Sequence, residues 1–331
     1  MPALPPLDFG QHFDIAAASR ASADPATPLE NQDNFLLIDA TGRARFLHGQ
    51  QLQDTQLANW PAGHLRVAVL DGMGGHGHGR EAAEAVVAGL LALPAWSTLA
   101  EVCADLDALH TRLQADFASQ AGAVRPPSRR PGTTLTLLEI APGQAPMLYH
   151  VGDSRLYELG HDSISVLTVD HVPATAFAMA GVLQAAEWWQ QVHGEHRPQI
   201  AQAFVLGNAF ADPSTLADGL YPLSSERLPP FLRHLPDRRA LTLRAHASYL
   251  LATDGFWSCA APQAWVNSWP ALLGETDANA MVERLFSALG HHPPDNLHLD
   301  NLTAIVIRPL SAASNSGNHN DDHTYASMEK N

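Results

Sequence analysis

Short apolar runs separated by turn residues occur over most of this chain. Runs of this length, with β-branched and aromatic residues, predict β-strands. The clearest is 65–70 (LRVAVL), which is apolar at nearly every position and is followed at once by a glycine-rich loop at 72–79. The predicted strands cover residues 13–15, 35–38, 65–70, 133–140, 147–151, 155–159, 164–169, 241–252 and 302–307.

Other segments have a helical period. Apolar residues line one face of a predicted helix at 80–94, which ends at a proline. They recur at steps of three and four over 99–117, and a further helix is predicted near 280–289. Residues 173–236 mix helix-like patches with many prolines, which predicts a partly irregular insertion. Strands, two long helices and then more strands favour an α+β arrangement over a regular βαβ array.

The composition is that of a globular protein with an excess of acid. Apolar residues make up 46% of the 331 residues, and Lys+Arg 19 against Asp+Glu 34 gives a formal net charge of −15. This charge argues against nucleic acid or an anionic membrane surface as the main partner, because phosphate backbones bind clustered Lys and Arg. Charged residues are only 16% of the chain. We therefore expect some carboxylates to meet a counter-charge inside a site.

No segment predicts a membrane span or secretion. The chain has no run of about 18 consecutive apolar residues, and its first residues lack the basic and apolar regions of a signal peptide. Cys103 and Cys259 make neither a disulfide framework nor a thiolate zinc site. We expect a cytoplasmic protein, with a globular domain over residues 1–310 and a disordered polar tail over 311–331.

Five aspartates lie where predicted strands begin or end. Asp71 and Asp254 follow apolar runs, Asp33 and Asp300 precede them, and Asp153 lies between two. Aspartate beside glycine or asparagine is also ordinary turn chemistry, so each one alone has a structural explanation. Strand ends can meet at one edge of a layered fold, however, where crowded carboxylates repel unless cations lie between them. Such oxygen ligands suit Mg²⁺ or Mn²⁺, and two such ions can activate water for attack on phosphorus.

Residues 71–76 (DGMGGH) precede a glycine-rich turn and a helix rich in Ala and Glu. This segment resembles a signature of the bacterial metal-dependent serine/threonine phosphatases, the PPM or protein phosphatase 2C family. Six further segments resemble that family's motifs in the family's order, and the resemblance covers roughly residues 9–309. The matching segments are NQD at 31–33, GTT at 132–134, GDSR at 152–155, LTVDH at 167–171, TDG at 253–255 and DNLT at 300–303.

The resemblance implies a four-layer α-β-β-α sandwich, an α+β fold in which two antiparallel sheets are flanked by helices and metals lie at one end. It implies that Asp71 bridges two metal ions and that the carbonyl of Gly72 binds the second. Asp254 and Asp300 complete the first metal site, and Asp153 forms a third, weaker site with Asp254. The implied cofactors are two or three ions of Mn²⁺ or Mg²⁺.

The same resemblance implies a phosphatase that acts on phosphoserine and phosphothreonine in proteins through metal-activated water. Asp33 would hold metal-bound water, and His76 is a candidate proton donor to the leaving oxygen. Residues 180–209 correspond to the family's mobile flap beside the metal cleft. The expected partners are phosphorylated proteins, and the chemistry implies a cognate Ser/Thr kinase.

Two positions depart from the family pattern. The family's phosphate-binding arginine is Pro28 here, and the glutamate of its NED motif is Gln32. A bidentate guanidinium contact gives geometry as well as charge, so we expect weaker substrate binding or replacement by a cation such as Arg20. The departures motivate an alternative hypothesis, a catalytically weak or inactive phosphatase-fold module. Asp295 offers a second register for the DNLT motif, and Asp300 is preferred because an apolar strand follows it at once.

A competing pattern for a dinucleotide-binding oxidoreductase overlaps the same loop. Gly72, Gly74 and Gly77 match a GxGxxG fingerprint after a strand and before a helix. A βαβ unit requires a second strand after that helix, and the sequence predicts a second helix instead. The fingerprint is therefore the weaker interpretation of this segment.

Three histidines and two tryptophans also have simple explanations. His64, His76 and His78 surround the glycine-rich loop, but their spacing fits no helix-borne pair of metal ligands. Solvated loop histidines are expected there. Trp188 and Trp189 are adjacent, so on a helix they face different directions, and one is expected in the core with the other on the flap.

Overall fold

Two antiparallel β-sheets with helices on their outer faces make up the molecule. The computed structural model describes residues 4–22, 30–73, 78–120, 130–194, 199–210, 212, 214–274 and 276–310. The strands are β1 (Phe13–Arg20), β2 (Asn34–Ile38), β3 (Arg43–His48), β4 (Gln51–Gln56), β5 (Leu65–Leu70), β6 (Gly72–Met73), β7 (Gly132–Thr133), β8 (Leu135–Ile140), β9 (Met147–Val151), β10 (Arg155–Leu159), β11 (Ile164–Val166), β12 (Gln202–Ala203), β13 (Gly207–Asn208), β14 (Arg238–Ala240), β15 (Ser248–Ala252) and β16 (Leu302–Pro309). The helices are α1 (His78–Ala92), α2 (Leu99–Gln120), α3 (Pro173–Met179), α4 (Ala185–His193), α5 (Pro262–Asn267), α6 (Trp269–Leu273) and α7 (Ala278–His291).

The strands pair into a five-stranded and a seven-stranded sheet. The five-stranded sheet has the order β1-β16-β15-β10-β11, and the seven-stranded sheet has the order β14-β9-β8-β5-β2-β3-β4. Every pairing within these two sheets is antiparallel. The short pairs β6-β7 and β12-β13 lie outside them. In an antiparallel sheet, the first residue of one strand lies beside the last residue of its neighbour, at the same end of the sheet.

Helices cover the outer face of each sheet. The helices α1 and α2 pack on the seven-stranded sheet, and α5, α6 and α7 pack on the five-stranded one. The first of these two cores includes Leu36, Leu70, Val86, Leu106 and Leu137. The second includes Leu250, Trp269, Val282, Phe286 and Val306.

The inner faces of the two sheets pack against each other. Along β5, Val67 and Val69 face the opposite sheet, whereas Ala68 and Leu70 face the helices. Because both faces are covered, every residue of β2, β5 and β8 is buried, which explains their mostly apolar sequences. The predicted four-layer α-β-β-α sandwich is confirmed.

The segment that was expected to be an irregular insertion contains a small core of its own. The helices α3 and α4 pack there against the stretch 221–235. Pro173 lies in the first turn of α3, where proline's fixed φ suits a helix start. Trp188 is buried and Trp189 is 43% exposed, so the expected division between core and surface is confirmed.

One strand prediction was wrong, and one hairpin was missed. The apolar run 241–252 is not one strand, because only its last five residues form β15. A turn in which the N–H of Ala247 donates to the carbonyl of Arg244 (3.1 Å) separates the first part of the run from that strand. The neighbouring β14 ends at Ala240 and pairs with β9 in the other sheet. The hairpin of β3 and β4 was missed, because β4 is almost wholly exposed and polar and so carries no apolar signal.

Several predicted features lie outside the described residues. These are His76, Pro28 and the polar segment 311–331. The division into a domain of residues 1–310 and a disordered tail stays a prediction. Within the described residues, no helix combines the length and apolar character that a membrane crossing requires.

Candidate metal centre

All five aspartates singled out from the sequence lie at one end of the two sheets. The strands β2 and β5 pair so that Asp33, which precedes one, lies beside Asp71, which follows the other. The strands β10, β15 and β16 pair so that Asp153, Asp254 and Asp300 meet at the corresponding end of the five-stranded sheet. The fold thus joins side chains that are far apart in sequence.

The carboxylates are close enough to act on each other's charge. Burial first, and then the charges of four neighbours, raise the pKa of Asp71 well above its ordinary range. Asp71 also hydrogen bonds to Asp254, and burial together with the charge of Asp300 raises the pKa of Asp254 to about 6. Crowded carboxylates of this kind repel one another unless cations separate them. The four neighbours of Asp71 are Asp33, Asp254, Asp153 and Asp300.

Asp33 is the most buried of the five and is held by threonines of the five-stranded sheet. The hydroxyl of Thr253 donates to its Oδ2 at 2.9 Å, and the backbone N–H of Thr303 donates in turn to the Thr253 hydroxyl at 3.0 Å. Burial raises the pKa of Asp33 well above its usual value despite these hydrogen bonds. Asp33 therefore links the two sheets at the edge where the aspartates meet.

The hydroxyl group and the backbone N–H of Thr134 fix the backbone of Asp71. Its N–H donates to Oγ1 of Thr134 at 2.9 Å, and its carbonyl accepts from the N–H of Thr134 at 2.8 Å. Oγ1 of Thr134 lies 2.7 Å from Oγ of Ser154, the residue after Asp153. The two aspartate-bearing loops are therefore tied together beneath the cleft.

Gly72 occupies a position where a side chain has no room. A Cβ added there would lie 2.3 Å from the carbonyl oxygen of Gln32 and 2.6 Å from the carbonyl oxygen of Gly79. Gly72 also pairs with Thr133 through β6 and β7. Close backbone approach explains the glycine after Asp71 and places the start of α1 beside the cleft.

Asp300, the residue preferred as the start of the DNLT motif, lies close to the other aspartates of the cluster. The charge of Asp300 acts on Asp33, Asp71 and Asp254. Its Oδ1 accepts from the N–H of Asn301 at 2.7 Å, and Oδ1 of Asn301 accepts from the N–H of Gln32 at 2.8 Å. Gln32 thus joins the cluster through its backbone.

Arg155 supplies a buried positive charge beside the aspartates. Its Nε lies 3.0 Å from Oδ1 of Asp170, and its Nη2 lies 2.7 Å from Oδ2. Nη2 also donates to the carbonyl of Val192 in α4 at 2.8 Å. The guanidinium partly offsets the raised pKa values of Asp153 and Asp254. The sequence analysis gave Asp170 no role, although Asp170 is the aspartate of the LTVDH segment.

A cavity of about 130 Å³ adjoins the aspartates. Asp153 and Asp254 form part of its wall, and Phe177 of α3 and Gln191 of α4 line its other side. Space beside the carboxylates is what a substrate group needs in order to approach them. The helices α3 and α4 therefore border the aspartates through this cavity.

The donor set fits divalent cations. Within the described residues, no group of three or more His, Cys, Asp or Glu side chains is arranged to hold a metal ion. Mg²⁺ does not need three such protein ligands, because it keeps several water ligands and is bound through one or two carboxylates. The cluster has the required open form, since Asp71 and Asp254 touch and Asp300 lies near both. Oxygen donors without nearby thiolates favour Mg²⁺ or Mn²⁺ over softer metals.

Comparison with known families agrees with this geometry. The sequence profile described as Protein phosphatase 2C matches residues 41–292, which is more than half of the chain. The chain belongs to the protein phosphatase 2C family. The family resemblance predicted from the motifs is confirmed.

Individual members of the family share parts of the sequence and most of the fold. The serine/threonine protein phosphatase PstP of Mycobacterium tuberculosis is 36% identical over 109 residues, which are 33% of this chain and 21% of that protein. This chain thus aligns with about a fifth of that curated relative. The S. agalactiae serine/threonine phosphatase has a TM-score of 0.61 at 18% identity, covering 90% of this chain and 100% of that one. The catalytic domain of PstP in complex with 2 manganese ions has a TM-score of 0.55 at 21% identity, covering 91% and 99%.

The protein phosphatase 2C fold excludes the dinucleotide-binding alternative. The helix α2 follows α1 directly, so the GxGxxG pattern does not lie in a βαβ unit. Arg20, the suggested substitute for the missing arginine, pairs with Glu283 at 3.5 Å and stacks on Phe286. It is thus engaged by α7.

The histidines near the loop do not form a second metal site within the described residues. The expectation of a solvated loop histidine is wrong for His64, which is buried with its ring edge-on to Trp60. His78 begins α1 and lies 3.0 Å from Glu81. His171 of the LTVDH segment is buried and contacts the side chain of Gln202, as expected of a structural residue.

Proposed function

We propose that this protein is a phosphoprotein phosphatase that hydrolyses phosphoserine and phosphothreonine with two divalent ions, Mn²⁺ or Mg²⁺. The observation that carries the proposal is the meeting of aspartates from separate strand ends in one cleft. Membership of the protein phosphatase 2C family supports it. So does the fold shared with a PstP domain described as a complex with 2 manganese ions.

Four of the aspartates have a proposed role in holding the ions. Asp71 would bridge the two ions, with the carbonyl of Gly72 on the second. Asp254 and Asp300 would complete the first site, and Asp153 would hold a third ion with Asp254. Divalent ions held in this way supply an activated water for in-line attack at phosphorus and neutralise the phosphate oxygens.

The other residues of the cleft position groups. One oxygen of Asp33 accepts from Thr253, and its remaining lone pairs are proposed to orient a water next to the ions. Arg155 is occupied by Asp170 and Val192, so it is proposed to hold the Asp153 loop in place. His76 is proposed as the proton donor to the leaving seryl or threonyl oxygen.

The biological setting follows from the chemistry. The substrates are proposed to be phosphorylated proteins, and a Ser/Thr kinase that forms them is the implied partner. The site of action is proposed to be the cytoplasm. Pro28 in place of the family's arginine leads us to expect a high KM for small phosphate esters, since a bidentate phosphate contact is missing.

Hydrolysis of p-nitrophenyl phosphate and of a phosphothreonine peptide tests the proposal. We expect turnover with Mn²⁺, loss of turnover with EDTA, and recovery when Mn²⁺ is returned. Asp71→Asn and Asp254→Asn should each lower kcat by more than about 100-fold, because both carboxylates are proposed as direct ligands.

Asp295→Asn is the matched control for these variants. Asp295 is close to Asp300 in sequence, and its hydrogen bond with the N–H of Ala260 uses only its backbone carbonyl. Removal of its carboxylate charge should therefore leave kcat unchanged. Turnover no faster than a metal-only blank would contradict the proposal and favour the inactive module. Hydrolysis that survives EDTA would indicate another class of enzyme.

A further inference from the structure

A second cavity, of about 300 Å³, lies along α4. It is bounded by α4, by β11, by the segment 231–235 and by the start of α5. Its volume is at the lower end of the range of about 300–1,000 Å³ for small-molecule sites. Arg155 lines both this cavity and the one that holds Asp153 and Asp254. The two cavities therefore share a wall.

Aromatic rings form much of this second cavity. Tyr157, Trp188, Trp189 and Phe231 all line it. The indole N–H of Trp188 donates to Oγ1 of Thr175 at 3.1 Å, which fixes that ring. Trp189 is 43% exposed, although it is among the largest apolar side chains. A concave wall of fixed rings with one exposed edge suits a flat ring that stacks or packs edge to face.

A buried histidine adds an unsatisfied polar group to these walls. His193 lines the cavity and is only 4% exposed. Among the described residues, its Nε2 has no hydrogen-bond partner. Burial, and then the charge of Arg155, hold the pKa of His193 well below its ordinary value, so the ring is neutral. Because buried polar groups are nearly always satisfied, an orphaned ring nitrogen on a residue that lines a cavity indicates a missing partner.

The ring of His193 is also correctly placed to act with the tryptophans. Its centroid lies 4.1 Å from that of Trp189 and 5.4 Å from that of Trp188. A neutral imidazole nitrogen donates or accepts according to its tautomer, and a hydroxyl group can serve either one.

We propose that this cavity is a binding site for a small aromatic molecule that carries a hydroxyl or amino group, separate from the aspartate cluster. The rings of Trp188, Trp189 and Phe231 would hold the flat part of the ligand. Nε2 of His193 would bond to the polar substituent. The proposal concerns binding alone and does not depend on the phosphatase activity.

The test uses 2-naphthol as the probe, because it has two fused rings and one hydroxyl. Isothermal titration of the full-length protein should show saturable binding at one site. Cyclohexanol, which has the hydroxyl but no aromatic ring, should not compete with it. His193→Phe keeps a ring of similar size and removes the nitrogen, so it should weaken binding by about tenfold, or about 1.4 kcal/mol.

Two alanine variants on α4 make the test specific. Ala185 and Ala186 are neighbouring exposed residues in the first turn, but only Ala185 lines the cavity. Ala185→Trp should abolish 2-naphthol binding by filling the space, and Ala186→Trp should bind like the wild type. Circular dichroism would confirm that both variants are folded. Absence of saturable binding in the wild type, or equal binding by Ala185→Trp, would overturn the proposal.

Discussion

Arg66 shows how a single buried charge is made tolerable in this protein. Its guanidinium lies over Trp96 at 3.7 Å from the ring centroid and pairs with Glu139, with Nε 2.7 Å from Oε2. Both side chains are fully buried. A charge in such a place is stable only while its partner and its hydrogen bonds are complete. The pair thus joins β5 to β8 at a point where neither residue can change alone.

Glu139→Gln should therefore be strongly destabilising. The substitution keeps the size of the side chain but leaves the guanidinium unpaired, which costs about 3–5 kcal/mol in comparable buried pairs. Urea denaturation of purified protein would measure the loss. Glu283→Gln is the control, because it breaks the exposed pair with Arg20 and should cost less than about 1 kcal/mol. Equal effects of the two substitutions would contradict the role of burial.

His150 makes the stability of the molecule depend on pH. Its Nε2 lies 3.2 Å from the carbonyl of Val169, which can only accept, so Nδ1 accepts from Thr136 and the ring is satisfied when neutral. Burial lowers the pKa of His150 to about 3. At pH values between the ordinary pKa of histidine and this lowered pKa, the unfolded state binds a proton at residue 150 and the native state does not. Stability from this group is therefore present above the ordinary pKa and is lost as the pH falls.

The expected size of this effect is about 2 kcal/mol between pH 7 and pH 5. His150→Gln should remove that part of the pH dependence, as measured by urea midpoints at both pH values. Asp237 contributes with the opposite sign, because burial raises its pKa to about 6, but it is common to both proteins and cancels in the comparison. An unchanged slope in the variant would show that His150 is not a neutral buried residue.

Individual residues of the cleft were predictable where a local rule applied. Asp71 and Asp254 each follow an apolar strand, and that position is readable without a structure. Asp170 was not assigned a role, because its importance comes from Arg155, which reaches it across a strand pairing. Burial of His64 was missed for a similar reason, since its packing on Trp60 depends on a turn. Local pattern identifies the aspartates of the cluster more readily than the residues that support them.

At the scale of elements, burial on both faces decides what a sequence can show. The strands β5, β9 and β10 have the predicted bounds, because short, mostly apolar runs bounded by turn residues leave little freedom in placing them. The strand β4 consists mostly of exposed polar residues, so its sequence has no apolar run that would predict a strand. The run 241–252 misled, because Leu241 and Leu243 join the core between the sheets from a loop.

Two helical glycines, Gly89 and Gly290, should respond in opposite ways to substitution by alanine. A Cβ at Gly89 in α1 would lie 2.4 Å from Cδ1 of Leu109 in α2, whereas a Cβ at Gly290 in α7 would meet nothing within 4 Å. Gly290→Ala should stabilise the protein by about 0.5–1 kcal/mol through helix propensity. Gly89→Ala gains the same propensity but should destabilise by about 1–3 kcal/mol, because the helices must separate.

Thermal or urea unfolding of the two glycine variants distinguishes packing from propensity. The substitution is chemically identical in both, so any difference in sign comes from the neighbouring side chain. Stabilisation by both variants would show that α1 and α2 can move apart without cost. Destabilisation by both would indicate that Gly290 has a role in the last turn of α7 beyond the open space around it.

For the whole molecule, the charge balance and the proposed function are linked. A formal net charge of −15 is accompanied by carboxylates that meet at one end of the sandwich and repel one another. Without cations the cluster opposes folding, because each carboxylate raises the cost of ionising its neighbours. Ions that bind only the folded state would reverse this cost by mass action. The same residues are thus expected to weaken the metal-free protein and to strengthen the metal-loaded one.

Asp71→Asn tests this link without any measurement of catalysis. In the metal-free protein, the substitution removes the charge at the centre of the cluster and should raise the melting temperature above that of the wild type. Saturating Mn²⁺, at about 100 times its dissociation constant, should stabilise the wild type by about 2.7 kcal/mol and the variant far less. Asp295→Asn should follow the wild type in both conditions. If Asp71→Asn instead lowered the metal-free melting temperature, Asp71 would be a structural turn residue. Loss of a carboxylate whose charge is repelled by its neighbours should stabilise the metal-free fold and not weaken it.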